Sequence, residues 1–135
     1  MYNIHMATIT NYIEQLEKLK PEDQYGFFLE KGSGCSDDVA LTPDNFVKGP
    51  MANLWITASE TPVGWEFQVS KVSGASAVDN GIGVMVCDIL DGLSTEELNQ
   101  TVWKDFVDLG KLLTKNDKQL IQAVLNKCKD LSASS

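Results

Sequence analysis

A backbone-permissive turn that runs straight into an apolar, aromatic strand constrains this chain more than any other stretch: Val47-Lys48-Gly49-Pro50-Met51-Ala52-Asn53-Leu54-Trp55-Ile56. Gly49 and Pro50 break regular structure, and Pro50 also removes a backbone donor. The apolar run that follows has a partner. Leu54 to Ser59 and Trp65 to Lys71 are both β-rich, and Thr61-Pro62-Val63-Gly64 between them has turn chemistry, so the two predict a hairpin. Trp65, Phe67 and Val69 fall on one face, with Glu66, Gln68 and Ser70 on the other, which predicts a sheet covered on one side and wet on the other.

Around the hairpin the apolar residues recur at helical spacing. Ile9, Ile13, Leu16 and Leu19 predict an amphipathic helix over 8–19. Pro21 opens a second helix, with Glu22 and Asp23 complementing its dipole, Tyr25, Phe28 and Leu29 facing inward and Gly32 at its end. Gly32-Ser33-Gly34-Cys35-Ser36-Asp37-Asp38 has the composition of a flexible linker, and it lacks the flanking strand, Gly-Lys and helix of a phosphate cradle. Thr42-Pro43-Asp44 fits the start of a short helical turn.

The stretch from Asp79 admits two readings. Asp79-Asn80-Gly81 followed by Ile82-Gly83-Val84-Met85-Val86 fits a tight turn and a third strand. Val78, Ile82, Met85, Val86, Ile89 and Leu90 instead form a helical stripe, with Ser76 and Asp79 as a capping pair, and the spacing favours this helix. Beyond it, Ser94-Thr95-Glu96-Glu97 is a capping box opening a short helix through Leu98. Val102 to Leu109 predicts another, with Phe106 and Leu109 inward and Gly110 as its stop. Thr114 caps a last helix whose stripe is Leu120, Ile121, Val124, Leu125 and Cys128, and 132–135 reads as a frayed, disordered tail.

At 135 residues, one core burying roughly two thirds of the unfolded chain's surface is expected, as a single domain over 6–131. Met6-Ala7-Thr8 reads as a natural start, so 1–5, with the only histidine, His5, reads as an expression scar. A net charge of −8 and a pI near 4.5 argue against nucleic acid and anionic lipid as partners. No apolar run approaches the roughly 20 residues that cross a bilayer, and the start lacks the regions of a signal peptide, so a cytoplasmic protein with no membrane partner is expected. Cys35, Cys87 and Cys128 are odd in number, widely spaced and without a Cys-x-x-Cys pair, which argues against a zinc site or a disulfide framework; no cofactor or metal is expected. The carboxylates fall singly or on helix faces and N-termini and read as solvated rather than as an acid/base pair.

The 47–56 stretch resembles that of the SufE and CsdE sulfur acceptors, the Fe-S metabolism associated family, in which an aliphatic-x-Gly-Cys turn leads into a strand with Trp as the fifth residue after the Cys. Trp55 stands in that place and Pro50 stands in the cysteine's. The likeness covers most of the chain: Glu22-Asp23-Gln24-Tyr25 is similar to the family's acidic-acidic-Lys-Tyr run, Gly81 matches a helical glycine, and the Leu-Gly stop and terminal helix follow in order. It implies an α+β fold, a small antiparallel sheet (the hairpin, with a third strand left open) packed against several helices, as in SufE and IscU. It departs at the sites. Asp117 stands for an Arg at the start of the terminal helix, Leu120 for a Gly, and about Ser73 for an Asp.

A persulfide relay needs a thiolate, and proline supplies none. The resemblance therefore implies a partner of SufS- or CsdA-like cysteine desulfurases that binds through Val47, Lys48, Gly49, Pro50 and Met51 without carrying sulfur, and is more readily a modulator than an enzyme. Two other readings stay open: a sulfur acceptor that uses Cys35 as a relocated thiol, and an interaction module unrelated to sulfur. An incidental loop cysteine is the preferred reading of Cys35, because no His or Arg neighbour is evident to lower its pKa. Cys87 and Cys128 lie on or beside apolar stripes and read as buried hydrophobes, and Trp55 and Trp65 as core. Monomer and dimer are equally compatible with the residues.

Overall fold

The computed structural model describes residues 4–36, 41–48, 54–70 and 77–133. The fold is α+β. Its helices are α1 (Ile4–Glu17), α2 (Pro21–Lys31), α3 (Ala77–Leu90), α4 (Thr95–Gln100), α5 (Val107–Gly110) and α6 (Lys115–Ala133), and its strands are β1 (Ile56–Thr61) and β2 (Gly64–Val69). The strands pair antiparallel in the register Ile56↔Val69 through Thr61↔Gly64, around the two-residue turn Pro62-Val63. Gly64 sits at φ +128°, a conformation that side chains rarely adopt, and a Cβ there would overlap the backbone of Gly92.

The Asp79 segment is helical, so no third strand arises there. Alternation at 3.6 residues wins because Ile82, Met85, Val86, Ile89 and Leu90 are all fully buried on one stripe. The helix α3 is central: α2, α6, β2 and α1 all pack on it. Gly81 lets α2 come close, since a Cβ there would run into the Phe28 carbonyl. The buried side chains form one cluster, with Phe28, Phe106, Leu54 and Leu98 among its largest members.

Local chemistry sets most element ends as the residues predict. Ser94 Oγ accepts from the Glu97 N–H at 3.1 Å while Glu97 Oε1 accepts from the Ser94 N–H at 2.9 Å, the reciprocal capping box. Thr114 Oγ1 accepts from the Asp117 N–H at 3.2 Å at the start of α6. A 3-10 turn follows Thr42 over Pro43–Asn45.

Several expectations are corrected. In α2 the inward residues are Phe28 and the half-buried Phe27; Tyr25 is 61% exposed and Leu29 37%, because α3 covers the adjacent face. The helix α1 begins at Ile4, inside the stretch read as a scar, and it turns Tyr12 inward together with Ile9 and Leu16. Ser70, expected on the wet face, is buried, because its N–H donates to Trp55 O and its hydroxyl accepts from Trp55 N–H at 3.2 Å. The region expected as one helix from Val102 is a 3-10 turn, Trp103–Phe106, followed by the short α5, with Phe106 and Leu109 buried. The tail read as frayed from 132 is helical to Ala133, and Ser132 is buried with its hydroxyl on the Lys129 carbonyl at 3.0 Å.

Candidate functional site: a strand-anchored loop and a cleft on the hairpin edge

Of the five residues of the predicted docking turn, Gly49, Pro50 and Met51 lie outside the described residues. Val47 and Lys48 lie within them, and they show how the stretch is held. The Val47 N–H donates to the Leu54 carbonyl at 2.9 Å, and Phe46 bridges Trp55 antiparallel with their rings 5.0 Å apart. Val47 and Leu54 are buried, whereas Lys48 is exposed. Below them Asn45 Nδ2 donates to the Ile56 carbonyl at 2.8 Å, and Lys127 of α6 donates to the Asp44 carbonyl at 3.2 Å. The two pieces of chain that flank residues 49–53 are therefore joined as a paired stem in the core. Trp65 is core as predicted, its indole N–H donating to Thr95 at 2.9 Å, while Trp55 is half-buried at the stem.

The segment read as a linker is built into the fold up to Ser36. Gly32–Gly34 forms a 3-10 turn, Cys35 N–H donates to the Gly32 carbonyl at 3.3 Å, and Ser36 N–H donates to the Val69 carbonyl at 2.7 Å as a parallel bridge to Ser70. Side by side, the segments run Ser36, Ser70, Trp55, Phe46. Cys35 is thus about two strand spacings, roughly 10 Å, from the nearer leg of the stem. It is half-buried and packs against the core. Cys87 and Cys128 are buried, as expected. A hydrogen bond with Cys128 and burial push the Cys87 thiol up, so it is a poor nucleophile.

Spacing did not reveal a second feature. A cleft of about 250 Å³ opens along the outer edge of β2, where Lys31, Gly34, Ser36, Gln68, Val84, Cys87, Asp88 and Asp91 meet the strand. A neighbouring groove of about 560 Å³ shares Lys31, Gly34 and Val84 with it. The phenol of Tyr12 donates to Asp88 Oδ2 at 2.5 Å, and Lys31 Nζ stands 4.8 Å from the centre of the Tyr12 ring. Burial, then the Asp88 carboxylate, push the Tyr12 hydroxyl well above its ordinary range, so it remains a donor. These groups come from α1, α2 and α3, and the only sequence trace is the three-residue spacing of Asp88 and Asp91 at the end of α3.

Asp91 ties α3 to the strand by accepting from the Phe67 N–H at 2.9 Å. Burial pushes its carboxyl up to about 6; the Phe67 hydrogen bond pulls the other way, and the charges of Asp88 and Glu66 add to the rise. The folded chain therefore holds this proton more tightly than an unfolded chain, whose aspartate titrates near the ordinary 3.8. The stability from protonated Asp91 is complete below roughly pH 4 and is lost as pH rises through about 6. Solvent still reaches this residue, which keeps the effect below that of a fully buried acid. Asp91→Asn keeps the acceptor and removes the ionisation. Its urea midpoint is expected to match the parent's near pH 4 and to exceed it at pH 7.5; a lower midpoint at pH 7.5 would show the carboxylate to be net stabilising.

Asp117, where the resemblance puts an Arg, lies near Asp79, whose carboxyl is raised by burial and then by the Asp117 charge. Among the described residues no group of three or more His, Cys, Asp or Glu could hold a metal ion. No helix among them is long and apolar enough to cross a membrane.

The architecture defines a small α+β domain, and comparison with known proteins extends that only as far as the fold. No family model matches this chain, and no curated protein does. A similar solved structure is the solution structure of a hypothetical protein from Thermus thermophilus, with a TM-score of 0.68 and 12% identity over 95% of this chain and 97% of that one. At that identity the likeness shows a shared fold and nothing about activity.

Proposed function

We propose that this chain is a SufE-like protein of sulfur mobilisation that docks on a cysteine desulfurase through the loop following Val47 and modulates it without accepting sulfur. The observation that supports this reading is the paired stem. Val47 with Leu54 and Phe46 with Trp55 close the base of a loop whose sequence carries Pro50 where the resembling family carries its acceptor cysteine. An anchored loop loses less conformational freedom on binding than an unanchored one. With no thiol at its proline the loop can occupy a desulfurase's acceptor route but cannot take the persulfide sulfur from it. A cytoplasmic location belongs to the same reading.

The test mixes the full chain with SufS- and CsdA-like desulfurases, follows complex formation and alanine release, and measures the mass of every thiol afterwards. A complex, a changed rate of alanine release and no added sulfur are expected, with binding weakened by Lys48→Glu. No complex and an unchanged rate with every enzyme tried would remove the proposal. A persulfide increment on Cys35 that is lost in Cys35→Ser would replace it with the relay reading.

A further inference from the structure

The outer edge of β2 carries a gap in its pairing. In an antiparallel strand every second residue turns both N–H and C=O to the same side. Trp65 faces outward, since its N–H donates to the Leu93 carbonyl at 2.9 Å and its C=O accepts from the Gly92 N–H at 2.7 Å. Phe67 and Val69 share that orientation. The Phe67 N–H is taken by Asp91 and the Val69 C=O by Ser36. Between them, the Phe67 C=O and the Val69 N–H have no protein partner among the described residues, although these residues are only 4% and 2% exposed. Buried backbone groups are nearly always paired.

The cause of the gap is local. Ser36 bridges Ser70 in parallel, and two residues earlier a continued parallel strand would place Gly34 against Gln68. The 3-10 turn Gly32–Gly34 takes the chain away instead, so no described residue pairs with the edge where the cleft lies. In a parallel ladder the N–H and C=O of one residue bond the C=O of residue 67 and the N–H of residue 69. An α-amino acid offers that same donor and acceptor across one α-carbon.

We infer that the cleft on the edge of β2 binds a small free α-amino acid, its ammonium on the Phe67 carbonyl and its carboxylate on the Val69 N–H. The cleft carries charge of both signs, as a zwitterion requires, with Asp91 fixed beside Phe67. Asp91, held on the Phe67 N–H, and Asp88 are the anions of the cleft, and Lys31 is the only cation among the described residues that line it. Val84 and Cys87 add apolar and weakly polar wall, suited to a short side chain. The cleft is closed along the strand by the Gly92-Leu93 pairing at one end and by Ser36 at the other, which favours one residue over a threaded peptide. The inference does not rest on the desulfurase reading.

Amide-detected NMR of the full chain tests it with glycine, L-alanine and L-cysteine, against N-acetylglycine, glycinamide and a tri-alanine peptide. Saturable shifts of the Val69 and Gln68 amides are expected with the free amino acids below roughly 10 mM, with N-acetylglycine and glycinamide binding ~10-fold or more weakly because each lacks one charged hydrogen-bonding end. Lys31→Met and Asp91→Asn should each weaken binding while retaining the native spectrum. No saturable shift at Val69, equal binding of blocked and free forms, or binding of the peptide alone would overturn the assignment.

Discussion

Gly81→Ala is expected to cost about 3 kcal/mol or more, and at 37 °C to leave much of the chain unfolded. Exposed helix glycines usually behave the other way, because alanine is the better helix former by about 1 kcal/mol. Here the added methyl would meet the Phe28 carbonyl, and a backbone atom in the middle of α2 cannot turn aside as a side-chain tip can. To make room α2 must lift off α3, which would loosen Phe28, itself 2% exposed in the core. Gly26 is the internal control. It lies on the same helix as Phe28, but on the open side with nothing within 4 Å of its missing Cβ, so Gly26→Ala should stabilise by about 0.5–1 kcal/mol. Urea titrations of both variants decide the matter. A Gly81→Ala midpoint equal to the parent's would mean that the two helices do not cross so closely.

Leu54→Ala should destabilise by about 2–5 kcal/mol, a large share of the roughly 5–15 kcal/mol that holds a domain of this size together. Leu54 is fully buried, and its carbonyl receives the Val47 N–H, so its side chain anchors one leg of the stem while its backbone closes the pair. Truncation leaves a cavity under the stem with Gly83 of α3 on its far wall; an added Cβ at Gly83 would lie 3.6 Å from a Leu54 methyl. Lys48→Glu, one residue past the stem on an exposed side chain, should leave stability within about 0.5 kcal/mol. That contrast separates the seating of the stem from any contact that Lys48 makes. If the proposal on function is right, Lys48→Glu weakens desulfurase binding at full stability, and Leu54→Ala weakens it in proportion to lost fold. A Leu54→Ala loss below about 1 kcal/mol would show that the stem is not seated in the core.

The errors of the sequence reading share a cause. Periodicity found α2 but misjudged its inner face, because Tyr25, Phe27, Phe28 and Leu29 together cover most of the circumference and only the approach of α3 selects among them. Gly32 to Ser36 has linker composition, yet one bond from Ser36 to the Val69 carbonyl fixes its end. Ser132 looked like a tail by residue type and is buried by the packing of α6. The cleft was illegible because Lys31, Ser36, Asp88 and the edge of β2 come from four separate segments, and none of them is unusual within its own segment.

By itself, the order of residues determined the hairpin and its register-setting turn, the Ser94–Glu97 capping box and the helical nature of the Gly81 segment, while the capping pair read at Ser76 lies outside the described residues. All of these follow from interactions within a few residues or from a repeating apolar pattern. Only the tertiary structure decided which face of α2 is inside, how the segment leading to the Val47–Leu54 pair is tied to α6, and that the outer edge of β2 is paired at Trp65 and at Val69 with two backbone groups between them that have no partner among the described residues. Those outcomes depend on where segments distant in the chain come to rest, and hydrogen-bonding groups common to every residue carry no mark in a sequence of which ones the fold will leave unpaired.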